Sequence, residues 1–236
     1  MVESKPTAPG TIRKSAGQSG TGPGPITPDG SPVELYIESD AHGEDQVIHA
    51  AIPPASSILE LGCGTGRITR PLLALGHRIV AVDESPDMVA RIPETETVCS
   101  TIEALRLDRR FDVVLMMSFL VNVPDDEARH ALLTTCAYHV RPGGTVILQQ
   151  HDRESFARPR VLERDDHRLV IDEVEHLSGD RDAATMTHTL GDRTWSQRIV
   201  VQNLTEQQLT GNLAAAGLRF VEHLSPDKTW VRATPR

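Results

Sequence analysis

Glu60-Leu61-Gly62-Cys63-Gly64-Thr65-Gly66-Arg67 is the stretch that decides the fold of this 236-residue chain. It continues the apolar run Ser57-Ile58-Leu59, which suits a buried strand, and leads into a helical segment that closes at Gly76. Glycines at alternate positions let a backbone turn sharply and let a ligand approach with no Cβ in the way. A second apolar run, Arg78-Ile79-Val80-Ala81-Val82, ends at Asp83, 21 residues after Gly62. A carboxylate there can take both hydroxyls of a ribose. Together these features describe a pocket for an adenosine-bearing cofactor at the carboxyl edge of a sheet. The spacing departs from the dinucleotide fingerprint G-x-G-x-x-G, because Arg67 stands where that pattern needs its third small residue.

Outward from this turn, apolar runs alternate with helical segments. Ser85-Pro86-Asp87 supplies an N-cap, an N1 proline and a first-turn acid for a short helix. Residues 97–99 and 111–117 read as the third and fourth strands, 124–140 as a helix and 145–149 as the fifth strand. Pro71, inside the helical segment, predicts a slight kink. Upstream, Val47, Ile48 and Ala51 share one face of a helix over 44–51. After His151 the rhythm changes to antiparallel strands at 169–175, 183–190 and 194–201. A helix over 204–216, with Thr205 and Gln208 in capping-box positions, precedes a closing hairpin at 218–224 and 229–233. The expected architecture is α/β: a doubly wound, mostly parallel seven-stranded sheet with an antiparallel insertion at about 152–203. Residues 1–31 hold six glycines and five prolines without periodicity. They read as a disordered tail ahead of a single domain over 32–236.

Four motifs in order make the chain resemble the class I S-adenosylmethionine (SAM)-dependent methyltransferases. Glu60 to Gly66 is similar to that family's first motif, and Val82-Asp83-Glu84-Ser85-Pro86-Asp87-Met88 to its second-strand acid and adenine-flanking segment. Phe111-Asp112-Val113-Val114 resembles its fourth strand, and Arg141-Pro142-Gly143-Gly144 the turn before its fifth. The resemblance implies SAM as cofactor, S-adenosylhomocysteine (SAH) as product, and a Rossmann-like fold. It implies that Gly62, Gly64 and Gly66 line the methionyl and ribose portions, with Cys63 a small residue of the same loop. Glu60 would organise the loop and the cofactor ammonium. Asp83 would hold the ribose hydroxyls, and Glu84 or Met88 would flank the adenine. The position where many family members place an acid against the adenine amino group is Thr101 here, leaving a backbone amide near Ile102 to bind the ring. Ser118 would fall beside the sulfonium.

The net charge of −9 and the thin spread of Lys and Arg weigh against a nucleic-acid partner and favour a small-molecule acceptor. The ten histidines show no H-x-x-H or H-E-x-x-H pairing, so no metal is expected. Three scattered cysteines suit a reducing cytosol, and no apolar run is long enough for a membrane span. His151, directly after the fifth strand, is the candidate general base, with Asp152 beside it able to orient the ring or bind a cationic acceptor. Tyr36, Asn122, His188 and Trp195 are further candidates for the acceptor side. The expected activity is methyl transfer to an N, O or C nucleophile of a metabolite or natural-product intermediate, in a cytoplasmic monomer or homodimer. Methylation of RNA or protein, and SAM binding without transfer, as in a cyclase-type or interaction module, stay open.

Overall fold

The computed structural model describes residues 17–164 and 166–236. A short strand, β1 (Ser19–Thr21), and two short helices, α1 (Val33–Ile37) and α2 (Glu44–Ala51), precede the apolar β2 (Ser57–Leu61). The chain then alternates through α3 (Thr69–Ala74), β3 (Arg78–Asp83), α4 (Pro86–Val89) and β4 (Glu96–Cys99). Next come β5 (Phe111–Met116), a 3-10 turn at Leu120–Asn122, α5 (Asp126–His139) and β6 (Val140–Gln149). Another 3-10 turn, Arg153–Phe156, leads into β7 (Arg160–Arg164), β8 (His167–Leu177), β9 (Arg181–Leu190) and β10 (Arg193–Gln202). Helix α6 (Glu206–Ala215) and strands β11 (Leu218–His223) and β12 (Trp230–Pro235) close the chain.

The main sheet has the order β11-β12-β6-β5-β2-β3-β4, with β12 antiparallel to both neighbours and the strands from β6 to β4 parallel. From β2 the chain first moves outward through β3 to β4, then returns to lay β5 on the other side of β2. The crevice where strand order reverses, at the carboxyl ends of β2 and β5, is where open α/β sheets bind ligands. Period-two alternation divides the core. Leu59, Leu61, Val80, Val114 and Met116 face α5 and α6, while Ile58, Ile79, Val113 and Leu115 face α2 and α3. Among the described residues no helix is long and apolar enough to cross a membrane.

A five-stranded antiparallel sheet, β1-β10-β9-β8-β7, makes up the insertion. Its three long strands fall where the alternation placed them, with turns at the expected Gly179 and Gly191. The edge strands β1 and β7 are additions to the sequence expectation. The disordered tail extending to residue 31 is corrected from Gly17 onward, residues 1–16 lying outside those described. Ser19 pairs with Arg198 and Thr21 with Ser196, and Trp195 Nε1 donates to the Pro23 carbonyl at 2.9 Å. Glycine serves close approach here. At Gly22 (φ +137°) a Cβ would lie 2.4 Å from the Trp195 ring, so the segment packs through bare backbone that no hydrophobic pattern reports.

The kink expected at Pro71 has a simpler resolution. Regular helix begins only at Thr69, so Pro71 occupies the first turn, where its missing N–H breaks no helical bond. The Ser85 N-cap with Pro86 at N1 and the Thr205–Gln208 capping box both form.

Candidate active site

Strand β2 delivers the glycine loop to the switch point. The amides of Gly62 and Cys63 both donate to the Val82 carbonyl, at 2.8 and 2.9 Å, stitching the loop to the end of β3. Asp83 completes the join. Its Oδ2 accepts the Gly64 N–H at 2.9 Å and its Oδ1 the Ser85 N–H at 3.0 Å. A carboxylate offers roughly four acceptor positions, so two bonds leave capacity for a ligand. Gly64 has φ +55°, and a Cβ built on it would meet nothing within 4 Å. Backbone there faces open space, the condition a cofactor needs to lie against it.

Glu60 ends inside the sheet, buried, with its Oε2 accepting the Thr69 hydroxyl at 2.7 Å. Burial is the main reason its carboxyl is pushed up to about 7, against which the Thr69 hydrogen bond and the Arg67 charge act in the other direction. Glu84 is also pushed up to about 7, by burial and then by the charges of Asp29, Asp83 and Glu103. Burial likewise raises Asp83 above the ordinary carboxylate range. Asp29 belongs to the segment expected to be disordered. Here it takes hydrogen bonds from Thr27 and Ser31 and joins the carboxylates around the crevice. A pocket ringed by under-neutralised carboxylates attracts a cation.

The first two helices are pinned to the same loop. Thr65 Oγ1 donates to the Tyr36 carbonyl at 2.8 Å, and Arg67 pairs with Glu44 of α2 at 2.6 Å. Arg67, which disqualified the dinucleotide pattern, reaches out of the turn to hold α2. Burial, then Asp29, raises the Tyr36 phenol. Both Asp29 and Asp83 act on it, and Thr65 holds its carbonyl, so Tyr36 stands beside the glycine loop. Met88 is buried on α4, Ile102 lies in the core with Thr101 half-buried before it, and burial pushes the Cys63 thiol up, leaving it protonated and inert.

Beyond β5 the backbone turns through two left-handed residues, Ser118 (φ +52°) and Phe119 (φ +64°), an arrangement that costs about 1–2 kcal/mol per residue and gathers at functional sites. The Ser118 N–H donates to Gln149 Oε1 at 3.1 Å, tying the ends of β5 and β6 together. His151 is only 9% exposed, and neither ring nitrogen has a hydrogen-bond partner among the described residues. Phe119 meets the ring edge-on at 5.4 Å between centroids, and Phe156 lies against it at 4.5 Å. This apolar clamp desolvates the imidazole and pushes it down to about 4, the field of Asp152 and Asp182 notwithstanding.

The remaining candidates separate. The Asn122 side chain is spent inside the protein: Oδ1 accepts the His151 N–H at 2.7 Å and Nδ2 donates to the Gln202 carbonyl at 2.8 Å. It corrects from an acceptor contact to the brace that holds His151 against the insertion. Trp195 is also corrected, for it is wholly buried under the N-terminal segment with Arg193 over its ring. His188 Nδ1 is bonded to His167 Nε2 at 2.9 Å, the rings stacked, which removes that nitrogen from ligand contact. Asp152 caps the turn at Arg153–Phe156 through the Glu154 N–H at 3.1 Å. Sequence reasoning missed Asp29, Thr69, Phe119 and the Glu44–Arg67 pair. Only Glu44, a first-turn acid of α2, left a local signal. Among the described residues no group of three or more His, Cys, Asp or Glu side chains is placed to hold a metal.

Residues 58–144 match the family described as Methyltransferase domain. The ubiquinone biosynthesis O-methyltransferase of Xanthomonas campestris pv. campestris is 29% identical over 140 residues, covering 50% of this chain and 57% of that protein. The cypemycin N-terminal methyltransferase of a Streptomyces species is 37% identical over 111 residues, 43% of this chain and 44% of that protein. The chain thus spans about half the length of the curated relatives it matches. Among solved structures, SAM-bound CalS10, an amino pentose methyltransferase from Micromonospora echinaspora, superposes with a TM-score of 0.68 at 21% identity, covering 86% of this chain and 94% of that one.

Proposed function

We propose that this chain, which carries the methyltransferase domain over residues 58–144 on a class I α/β fold, transfers the methyl group of SAM to a nucleophile of a small-molecule acceptor. The observation that carries this is Asp83, half spent on the Gly64 and Ser85 amides beside a glycine backbone that faces open space. The residues fit the cofactor. Glu60 would take the ammonium, the loop from Gly62 to Gly66 the methionyl and ribose portions, and Asp83 the ribose hydroxyls. Glu84 and Met88 would flank the adenine, with Thr101 and Ile102 behind it and Ser118 near the sulfur. Carboxylates held near 7 by burial gain from a cationic ligand, and the ammonium that Glu60 would take is common to SAM and SAH.

When bound, the cofactor supplies an electrophilic methyl on a positively charged sulfur. In-line attack on that methyl would form the nucleophile–carbon bond as the carbon–sulfur bond breaks, with the electron pair kept by sulfur. The chain's own task is alignment, which is worth roughly 7–11 kcal/mol. His151 is neutral at pH 7 and can accept a hydrogen bond from the incoming nucleophile. An imidazole pushed down to about 4 is a poor sink for a proton, which favours an amine, whose lone pair attacks before the proton is lost. The proton shed by the methylated amine leaves to solvent. Phe119, exposed at the rim, is the group that would move to admit the acceptor to the ring. The amino pentose acceptor class of the solved neighbour is consistent with an amine.

Calorimetric titration with SAH, with NADH as the competing ligand and Asp83→Ala as the control variant, tests the cofactor. SAH binding that the variant loses supports the proposal; a preference for NADH sinks it. Methyl transfer from isotopically labelled SAM into amine, hydroxyl and carbon acceptors then separates turnover from cofactor binding alone.

A further inference from the structure

We propose that the acceptor carries an anionic group, a carboxylate or a phosphate, which pairs with Arg160 next to His151. The inference rests on the methyl-transfer reading above and names the chemistry of its acceptor. Arg160 opens β7, directly across from Ile171 of β8. Ile171 and Phe156 belong to one apolar cluster, and Phe156 lies 4.5 Å from the His151 ring. The guanidinium is close enough for its charge to oppose protonation of His151. Arg160 Nε is sealed from water and has no hydrogen-bond partner among the described residues.

Arg232 Nε is also buried without a partner, but its terminal nitrogens meet the Ala51 carbonyl and Glu222, whereas the Arg160 side chain makes no hydrogen bond or ion pair among the described residues. Guanidinium cannot shed its proton, and a buried N–H left without an acceptor is destabilising. Arg67, Arg141 and Arg198 each meet a carboxylate within 4 Å, at 2.6, 2.5 and 3.0 Å. The two carboxylates whose charge acts on His151 are committed elsewhere. Asp152 caps its own turn, and Asp182 accepts from His176 at 2.7 Å and Asn203 at 2.6 Å. An anion that pairs with Arg160 satisfies the orphaned donor through a charge-assisted bond, in the two-pronged geometry that suits carboxylate and phosphate alike. Asp29 and Asp83 act on Glu84 beside the glycine loop, whereas Arg160 acts on His151. An acceptor anchored at Arg160 brings its remaining atoms past two imidazole nitrogens of His151 that also have no partner among the described residues.

The test titrates the full chain, with and without saturating SAH, with sodium pyrophosphate and separately with sodium benzoate at constant ionic strength. The readout is the His151 ring signals in long-range proton–nitrogen spectra, alongside calorimetry. We expect saturable movement of those signals with at least one anion. Arg160→Gln should weaken that binding at least about tenfold and Arg160→Lys less, because lysine keeps the charge but loses the fork. SAH affinity should be the same in all three proteins. A response to pyrophosphate alone assigns a phosphorylated acceptor; a response to benzoate alone assigns a carboxylic one. Movement of neither kind in the wild type, or equal binding by Arg160→Gln, overturns the inference. Loss of SAH binding by the wild type would instead remove the methyl-transfer reading, while the titration without SAH still decides whether Arg160 holds anions.

Discussion

Asn122 holds the His151 backbone amide at 2.7 Å with its oxygen and the Gln202 carbonyl at 2.8 Å with its nitrogen. One buried side chain thereby joins the end of β6, where the proposed acceptor would arrive, to the end of the last inserted strand. Asn122→Ala leaves both backbone groups unsatisfied, and we expect it to destabilise the chain by about 2–4 kcal/mol. Chemical denaturation measures the loss. If the midpoint does not move, water or a neighbour has replaced the amide and the brace is not required.

Glu60 makes the cofactor-free protein sensitive to pH. Its folded value of about 7 lies above the usual carboxylate range, so between about pH 4.5 and 7 the folded state holds the proton more tightly than the unfolded chain. Stability from this group is present at low pH and lost as pH rises through 7. Glu60→Gln should therefore make the ligand-free protein more stable at pH 8 by about 1–3 kcal/mol, with little change at pH 4.5. The same variant should bind SAH more weakly, having lost the carboxylate for the ammonium. A variant no more stable than wild type at pH 8 would contradict the burial argument.

His151 titrates in the opposite sense. Its folded value of about 4 lies below that of the unfolded chain, so its contribution is complete above about pH 6.5 and is lost as pH falls through 4. His188, also held down to about 4 by burial and by its partner His167, adds to the same acid sensitivity. His151→Phe keeps the aromatic packing against Phe119 and Phe156 while removing the titration. Its unfolding free energy should fall less steeply than wild type between pH 6.5 and 4, while its methyl-transfer kcat drops at unchanged SAH affinity. An unaltered kcat would reduce His151 to packing.

The N-terminal segment is expected to be structural from its first described residues. Deleting residues 1–24 removes β1 and the Pro23 carbonyl that Trp195 Nε1 uses, and exposes an indole that is wholly buried. We expect a red-shifted tryptophan emission and a lower melting temperature. Identical spectra and melting before and after deletion would show that the segment does not cover Trp195 in solution.

Much of the main sheet was legible in the sequence because each of its signals is local. Parallel strands buried on both faces read as unbroken apolar runs, and Ser85, Thr205 and the glycines of the first turn announce element ends through chemistry within three or four residues. The cofactor-side residues follow from the same turn, since a strand that ends at Asp83 must place it beside Gly64. The acceptor side was less legible. Asn122, Trp195, His188 and Asp152 are all polar or aromatic residues near the insertion, and sequence offers no way to tell a side chain facing a ligand from one whose partner lies far along the chain. Asn122 bonds Gln202, 80 positions away, and Trp195 bonds Pro23, 172 positions away.

What the sequence by itself determined was the succession of strands and helices along the chain and the position of the glycine turn with its acid, through periodicity, capping and backbone freedom. Tertiary structure alone decided which polar groups are satisfied. It closed the desolvating clamp of Phe119 and Phe156 around His151, left Arg160 Nε without an acceptor among the described residues, and folded a glycine- and proline-rich segment over Trp195. Burial and hydrogen-bond satisfaction depend on what the rest of the chain brings close, and no window of neighbouring residues contains that information.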